Sequence, residues 1–224
     1  MKKLLFLMML VVLVLSVKNT HATDYVFGPG DHRGDLGLVG TDTLLMTGGT
    51  IENITLSGNA IANIEGTSPL GSIPSDGGIW SIGNGGYGII NISGGEINEI
   101  ESYNESVNNI TGGSVYSLET HYMSVSHLYG GEIGTLASDQ LLDVEPWWPD
   151  AWIHIYCLEG YQYDDNTNLL TGQWGDGADF SISLSDIGTF PTYELIEFHI
   201  VPEPITFLLF AVGGIIAGRR KMRT

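Results

Sequence analysis

From Met46 onward, the apolar positions of this chain recur at a fixed interval. Gly48-Gly49-Thr50-Ile51-Glu52-Asn53-Ile54 returns as Gly94-Gly95-Glu96-Ile97-Asn98-Glu99-Ile100. It returns again as Gly112-Gly113-Ser114-Val115-Tyr116-Ser117-Leu118 and as Gly130-Gly131-Glu132-Ile133-Gly134-Thr135-Leu136, the last three copies starting 18 residues apart. Gly77-Gly78-Ile79-Trp80-Ser81-Ile82 fits one period earlier with one residue missing, and Gly58-Asn59-Ala60-Ile61-Ala62-Asn63-Ile64 is a looser copy. Upstream, Ile89, Val107 and Val125 keep step, as do Ile92, Ile110 and Leu128. Short β-branched runs parted by Gly, Asn and Ser read as strands and turns. One such unit cannot bury its apolar set alone, whereas stacked units can. The pattern predicts an all-β fold: a parallel β-solenoid of ~18-residue coils within residues 23–142. Ile92-Ile110-Leu128 and Ile97-Val115-Ile133 would be inside, with Glu96, Asn98, Glu99 and Glu101 outside. Residues 23–41, rich in Gly and Asp, read as a loop or first-coil cap. A meander of antiparallel hairpins satisfies the same turn signals and stays open.

Glu145-Pro146-Trp147-Trp148-Pro149 breaks the period. Residues 151–158, 168–172, 179–184 and 192–200 then read as strands separated by Gly and Asp turns. Residues 143–200 are therefore expected to form a small β cap, with Trp147, Trp148 and Trp152 packed over the last coil, because an open solenoid end must be covered.

The two ends follow other rules. Lys2 and Lys3 precede an apolar run over residues 4–17, and Thr20-His21-Ala22 places a small residue last. This is the pattern of a secretory signal peptide, residues 1–22, cut between Ala22 and Thr23; an uncleaved anchor is the alternative. At the other end, residues 205–218 carry no charge, and Arg219, Arg220, Lys221 and Arg223 close the chain. As a helix this run spans about 21 Å, shorter than a hydrocarbon core of about 30 Å. It reads as a short single transmembrane helix whose cations hold that end in the cytoplasm. The body between the two segments would then be exported.

Val201-Pro202-Glu203-Pro204, the short apolar span and the basic cluster together resemble the C-terminal sorting signal of bacterial PEP-CTERM proteins, in order and in spacing. The resemblance covers residues 201–224. It implies recognition by an exosortase, a membrane cysteine protease-transpeptidase that cuts near Pro-Glu-Pro. The tail would be an address and a transient membrane anchor, removed on processing. Residues 169–180 are similar to a module common just ahead of this signal, where it is structural.

Charge sharpens the division. Seven of the eight cations lie in the terminal segments, leaving Arg33 against all 26 acids of the body. One cation against so many acids cannot release counterions from phosphates to any extent, which excludes nucleic acid as a partner. It repels anionic lipid and anionic polysaccharide unless divalent cations intervene.

Candidate chemistry is sparse. Cys157 is the only cysteine, so an intrachain disulfide and a multi-cysteine zinc site are excluded. His154 lies three positions away, but strand alternation puts the two on opposite faces, and Cys157 reads as buried and inert. His121 and His127 have no evident partner set and read as ordinary surface or core residues. Asp164, Asn166 and Asn168 space oxygen donors as a calcium loop does, with Asp176 and Asp179 as further ligands. They lack the Gly and the later Glu of an EF-hand, so a solvated acidic turn is expected and no metal is assigned. Polysaccharide lyases use clustered carboxylates and often a cation. The repeats hold no Lys or Arg, and their acids read as scattered; Glu96 and Glu132 share a repeat position, but Ser114 lies between. Arg33-Gly34-Asp35 and the Asn-X-Ser/Thr triplets at Asn53, Asn91, Asn104 and Asn109 are too short to signify. The expected function is that of an exported, non-catalytic cell-surface or extracellular-matrix protein without a cofactor. Its expected partners are an exosortase-like protease, the membrane before processing and extracellular polysaccharide. The alternatives are a carbohydrate-active β-helix enzyme and a calcium-stabilised adhesive module.

Overall fold

The structure, a computed structural model, describes residues 22–67, 78–139, 152–187 and 190–202. Trp147, Trp148, Glu203, Pro204, the apolar run and the basic cluster lie outside the described residues, as does the signal segment ahead of Ala22. Among the described residues, no helix is long and apolar enough to cross a membrane.

The chain alternates between two sheets. The first has eight strands in the order β1 (Asp24–Phe27), β3 (Thr43–Thr47), β5 (Ile61–Gly66), β7 (Ile89–Ile92), β9 (Val107–Ile110), β11 (Val125–Leu128), β13 (Trp152–Cys157) and β17 (Ile196–Ile200). The second contains β2 (His32–Leu38), β4 (Thr50–Leu56), β6 (Gly78–Asn84), β8 (Glu96–Ser102), β10 (Ser114–His121), β12 (Glu132–Asp139) and β16 (Asp179–Asp186). It ends in β15 (Leu169–Gln173) and β14 (Gln162–Asp164). From β1 to β12 every described strand pair is parallel, so the hairpin meander does not occur there. Ile89 stands against Val107 and Val107 against Val125, which is the 18-residue interval read from the pattern. The interval repeats because like residues on adjacent strands bury like surfaces, and a slip of one residue would turn every apolar side chain outward.

Inward positions follow the alternation. In β7, Ile90 and Ile92 are fully buried, and Ile89 and Asn91 face outward. Ile54, Ile82, Ile100, Leu118, Leu136 and Leu184 form one buried row across the second sheet. Each such residue contributes about 1.5–3 kcal/mol of burial. The even strands are bent: pairing skips Glu52, Trp80, Asn98, Tyr116 and Gly134, and two successive positions, such as Asn98 and Glu99, face outward at the bend. Glu96, Asn98, Glu99 and Glu101 are half-buried, because neighbouring strands cover their stems.

Four expectations change. Residues 23–41 are not a loop but hold β1 and β2, and Arg33-Gly34-Asp35 is extended strand within β2. The Gly58 segment is not a copy of the Gly-Gly corner. Its glycine packs on Gly40 and under Gly86, all three with φ between 64° and 71°, and so belongs to a second corner. Asn104 (φ 59°) and Tyr122 (φ 55°) continue that corner with side chains present. Strands over residues 152–200 form as expected but do not sit apart as a cap. β13 and β17 extend the first sheet, β16 extends the second, and all three pair in parallel. Among the described strands of the second sheet β15 alone runs in reverse, and its antiparallel pairs with β16 and β14 form that sheet's edge. Trp152 is 38% exposed. Among the described residues the buried indole is Trp174, which donates its Nε1–H to the Gly131 carbonyl at 3.0 Å and meets Phe180 at 4.5 Å between ring centres.

Inside, part of the stack is polar. Asn84, Ser102, Asn108, Thr120 and Ser126 are fully buried. Asn84 donates to Asn108 at 3.0 Å, and Asn108 donates to Ser102 at 2.6 Å and Ser126 at 2.9 Å. The Ser126 hydroxyl lies 2.8 Å from that of Thr120. Buried polar groups are costly unless bonded, and these side chains bond one another chiefly from one sheet to the other, with Asn84 Oδ1 left without a partner among the described residues.

Candidate functional site

The outer face of the first sheet carries the most organised polar chemistry. Its central row is a ladder in register: Asn63, Asn91 and Asn109, then His127 and His154, then Glu197. The amide of Asn91 donates to Asn63 at 2.8 Å, and that of Asn109 donates to Asn91 at 2.9 Å. Beside this ladder runs a groove of about 290 Å³ that also involves Glu65, Ser93 and Thr111.

At His127 the row becomes aromatic. His127 stacks on His154 with centroids 4.8 Å apart. One column over, Tyr129 stacks on Tyr156 at 4.2 Å and Tyr156 on His199 at 4.6 Å. The Tyr156 hydroxyl lies 3.3 Å from His127 Nδ1. Parallel pairing holds like side chains about 4.8 Å apart, which is the spacing for flat rings to stack.

β17 completes the site. His154 Nδ1 and His199 Nε2 are 2.9 Å apart. Glu197 Oε2 lies 3.2 Å from His154 Nδ1, and Glu197 Oε1 lies 3.9 Å from His199 Nε2. All three residues offer a ligand atom within 4.8 Å of the other two. Burial holds the His154 pKa below its ordinary value; Glu197 opposes this and His199 adds to it. Burial also lowers His127, helped by repulsion from His154 and His199. Neutral imidazoles are the form that binds metal ions. His127 is a half-buried histidine outside this ligand trio, and its partners His154 and Tyr156 lie on a neighbouring strand, invisible to local spacing.

A second cluster lies on the other sheet. Glu101 stands in register with Glu119, so acids do occupy one position on adjacent strands, contrary to expectation. Tyr103 donates its hydroxyl to Glu101 at 2.7 Å and stacks on His121 at 4.7 Å. The His121 ring lies between Glu119 at 3.4 Å and Asp139 at 3.1 Å. Burial, then the charges of Glu101 and Glu119, raise the Glu99 pKa. Burial and the Glu101 hydrogen bond move Tyr103 well above the usual phenol range.

The sequence candidates fall as follows. Asp164 accepts from the Asn166 backbone and side chain and from Thr167, all inside its own turn. Asn168 accepts from Tyr163 and has φ 51°. Both Asp164 oxygens are engaged in this exposed hairpin turn, and those bonds hold its pKa low. Asp176 and Asp179 bond to Ala178 and Gln173 in a separate turn. Cys157 is buried, with its thiol pKa raised by burial. Thr23 donates to Asp42 Oδ1 at 2.8 Å, and its carbonyl accepts from Thr43 at 3.0 Å. Val201 donates to the Cys157 carbonyl at 2.8 Å, the rung that follows β17. Ala22 and Pro202 flank these two residues, and Ala22 is exposed.

No family model, no curated protein and no solved structure matches the chain.

Proposed function

We propose that this chain is an exported, non-catalytic protein of a bacterial cell surface or extracellular matrix. Its body is a parallel β-solenoid of about 18-residue coils. It is delivered by a cleaved signal peptide and anchored by a C-terminal transmembrane helix until an exosortase-like protease acts near Pro202-Glu203-Pro204. One observation carries this reading: the described ladders end where the processing segments begin, sharing only Val201 with the tail. Strand pairing begins beside Thr23, the residue after the expected cut, and its last rung is Val201, the residue before Pro-Glu-Pro. Removing the residues up to 22, or those from Pro202 onward, therefore breaks no rung of the described ladders. The Asn63-Asn91-Asn109 ladder and its groove support polysaccharide as the extracellular partner, because aligned amides present a repeating donor and acceptor array to a repeating chain.

The test is fractionation of cells with and without the sorting protease. A shortened, released or surface product only in cells that have the protease supports the proposal, and Glu203→Ala or deletion of residues 219–224 should abolish that product. A full-length membrane-bound product in both strains overturns the sorting claim.

A second reading, a carbohydrate-active enzyme, draws on the Glu99, Glu101 and Glu119 cluster. A carboxyl whose pKa is raised by burial, as that of Glu99 is, beside other carboxyl groups is what acid-base glycoside chemistry needs. Turnover of a glycan by the purified chain, abolished by Glu99→Gln or Glu119→Gln, would replace the first reading.

A further inference from the structure

The three donors that β13 and β17 bring together suit a metal ion better than they suit one another. We propose that His154 Nδ1, His199 Nε2 and a Glu197 carboxylate oxygen form a binding site for a divalent first-row transition ion, with Zn²⁺ the best match.

The geometry comes first. Ligands bound to tetrahedral zinc at about 2.0–2.2 Å stand roughly 3.3 Å from one another. Here the two nitrogens are 2.9 Å apart, and the carboxylate oxygens lie 3.2 Å and 3.9 Å from them. An opening of a few tenths of an ångström between the imidazoles, with a small turn of the carboxylate, meets that arrangement. The imidazole that donates in the His154–His199 hydrogen bond must take its other tautomer, which frees both facing nitrogens as ligands.

The surroundings support the same assignment. The ligands sit on adjacent parallel strands whose register is fixed from Ile153–Ile196 through Cys157–Ile200, so their backbones are held before an ion arrives. His127 stacks on His154, and Tyr156 stacks on His199, which limits the rotation of both rings. The side chain of Glu197 is 55% exposed and that of His199 35%, leaving an approach from solvent and a fourth position for water or an external ligand. Two imidazoles with one carboxylate select a borderline ion such as Zn²⁺; Ca²⁺ and Mg²⁺ prefer oxygen donors. A body carrying all 26 acids and only Arg33 concentrates divalent cations around itself. The proposal does not depend on how the chain is sorted.

The experiment is a Zn²⁺ titration of the full chain by calorimetry, repeated in a large excess of Mg²⁺. The variants are His154→Gln, His199→Gln and Glu197→Gln, with Asp164→Asn as the control. Thermal melts without metal establish that each variant folds, and the exposed Glu197 and half-buried His199 keep the test decisive if His154→Gln does not fold. One equivalent of Zn²⁺ should bind, Mg²⁺ should not displace it, and each folded site variant should lose tenfold or more in affinity while Asp164→Asn loses none. Zn²⁺ should also raise the melting temperature of the parent chain but not that of His199→Gln. The proposal is overturned by an absence of saturable uptake, by equal affinity in His199→Gln and Glu197→Gln, or by displacement with Mg²⁺.

Discussion

Gly113 tests the stacking directly. Its φ is 81°, and a Cβ built there would lie 2.9 Å from the Gly94 carbonyl carbon and 2.9 Å from the Gly95 oxygen, both backbone atoms of the preceding repeat. Gly113→Ala therefore carries two penalties. The left-handed backbone costs a residue with a Cβ about 1–2 kcal/mol. The collision cannot be relieved by rotating a side chain, so neighbouring strands must separate, at about 1–3 kcal/mol by analogy with overpacked cores. The expected loss is about 2–5 kcal/mol, which for a domain of this size lowers the melting temperature by about 4–20 °C. Gly83 is the control, having no atom within 4 Å of its would-be Cβ and no positive φ. Gly83→Ala should shift stability by no more than about 1 kcal/mol. Gly113→Asn separates the two penalties: Asn tolerates the left-handed region, as Asn104 and Asn168 do in this chain, but it still collides. Urea unfolding of the full chain followed by circular dichroism supplies the measurement. If Gly113→Ala unfolds with the parent chain, or if Gly113→Asn restores full stability, close contact between repeats is not what requires glycine there.

Three further outcomes follow. Asn108→Ala should cost about 2–4 kcal/mol in the same urea assay, because it leaves the bonding groups of Asn84, Ser102 and Ser126 without their shared partner in the interior. Asp42 accepts backbone hydrogen bonds from Val39 and Thr23, which hold its pKa below 3.8. The folded state thus binds fewer protons than the unfolded chain, and the resulting stability is present above pH 3.8 and lost as pH falls toward the folded value; the gap in melting temperature between the parent and Asp42→Asn should be constant near neutrality and close in that acid window. Cys157, buried and with a raised pKa, should react with a thiol reagent only as fast as the chain opens, so labelling in rising urea should track unfolding.

The repeat was legible because burial enforces it. Ile97, Val115 and Ile133 share one inward position, and any slip would expose all three. The polar interior was not legible, because Asn108 and Ser126 occupy inward positions with the composition of a turn, and only their bonds across strands distinguish them. The second corner was hidden for a related reason. Gly40, Gly58 and Gly86 give way to Asn104 and Tyr122, so the shared backbone conformation outlasts the residue type that signals it.

The His154–Glu197–His199 site marks where periodic reading stops. Along the first sheet, the position of Asn91 and Asn109 becomes His127 one 18-residue step later, and a local pattern predicts that change of residue no further. The next partner, His154, arrives 27 residues on, and Glu197 another 43, because the chain first builds β14, β15 and β16 on the opposite sheet before β17 returns. The detour lengthens the interval but preserves the register, so a row that carried amides in its regular part acquires imidazole and carboxylate at its end. Among the described residues β17 is the edge of the first sheet, so its side chains are released from matching a second neighbouring strand. That release lets one row hold ligands of different chemistry side by side. A site built this way is encoded by where β17 docks, so Ile196→Asp, which places a charge in the β13–β17 contact, should weaken Zn²⁺ binding without touching a ligand, and unchanged binding would show that docking does not assemble the site.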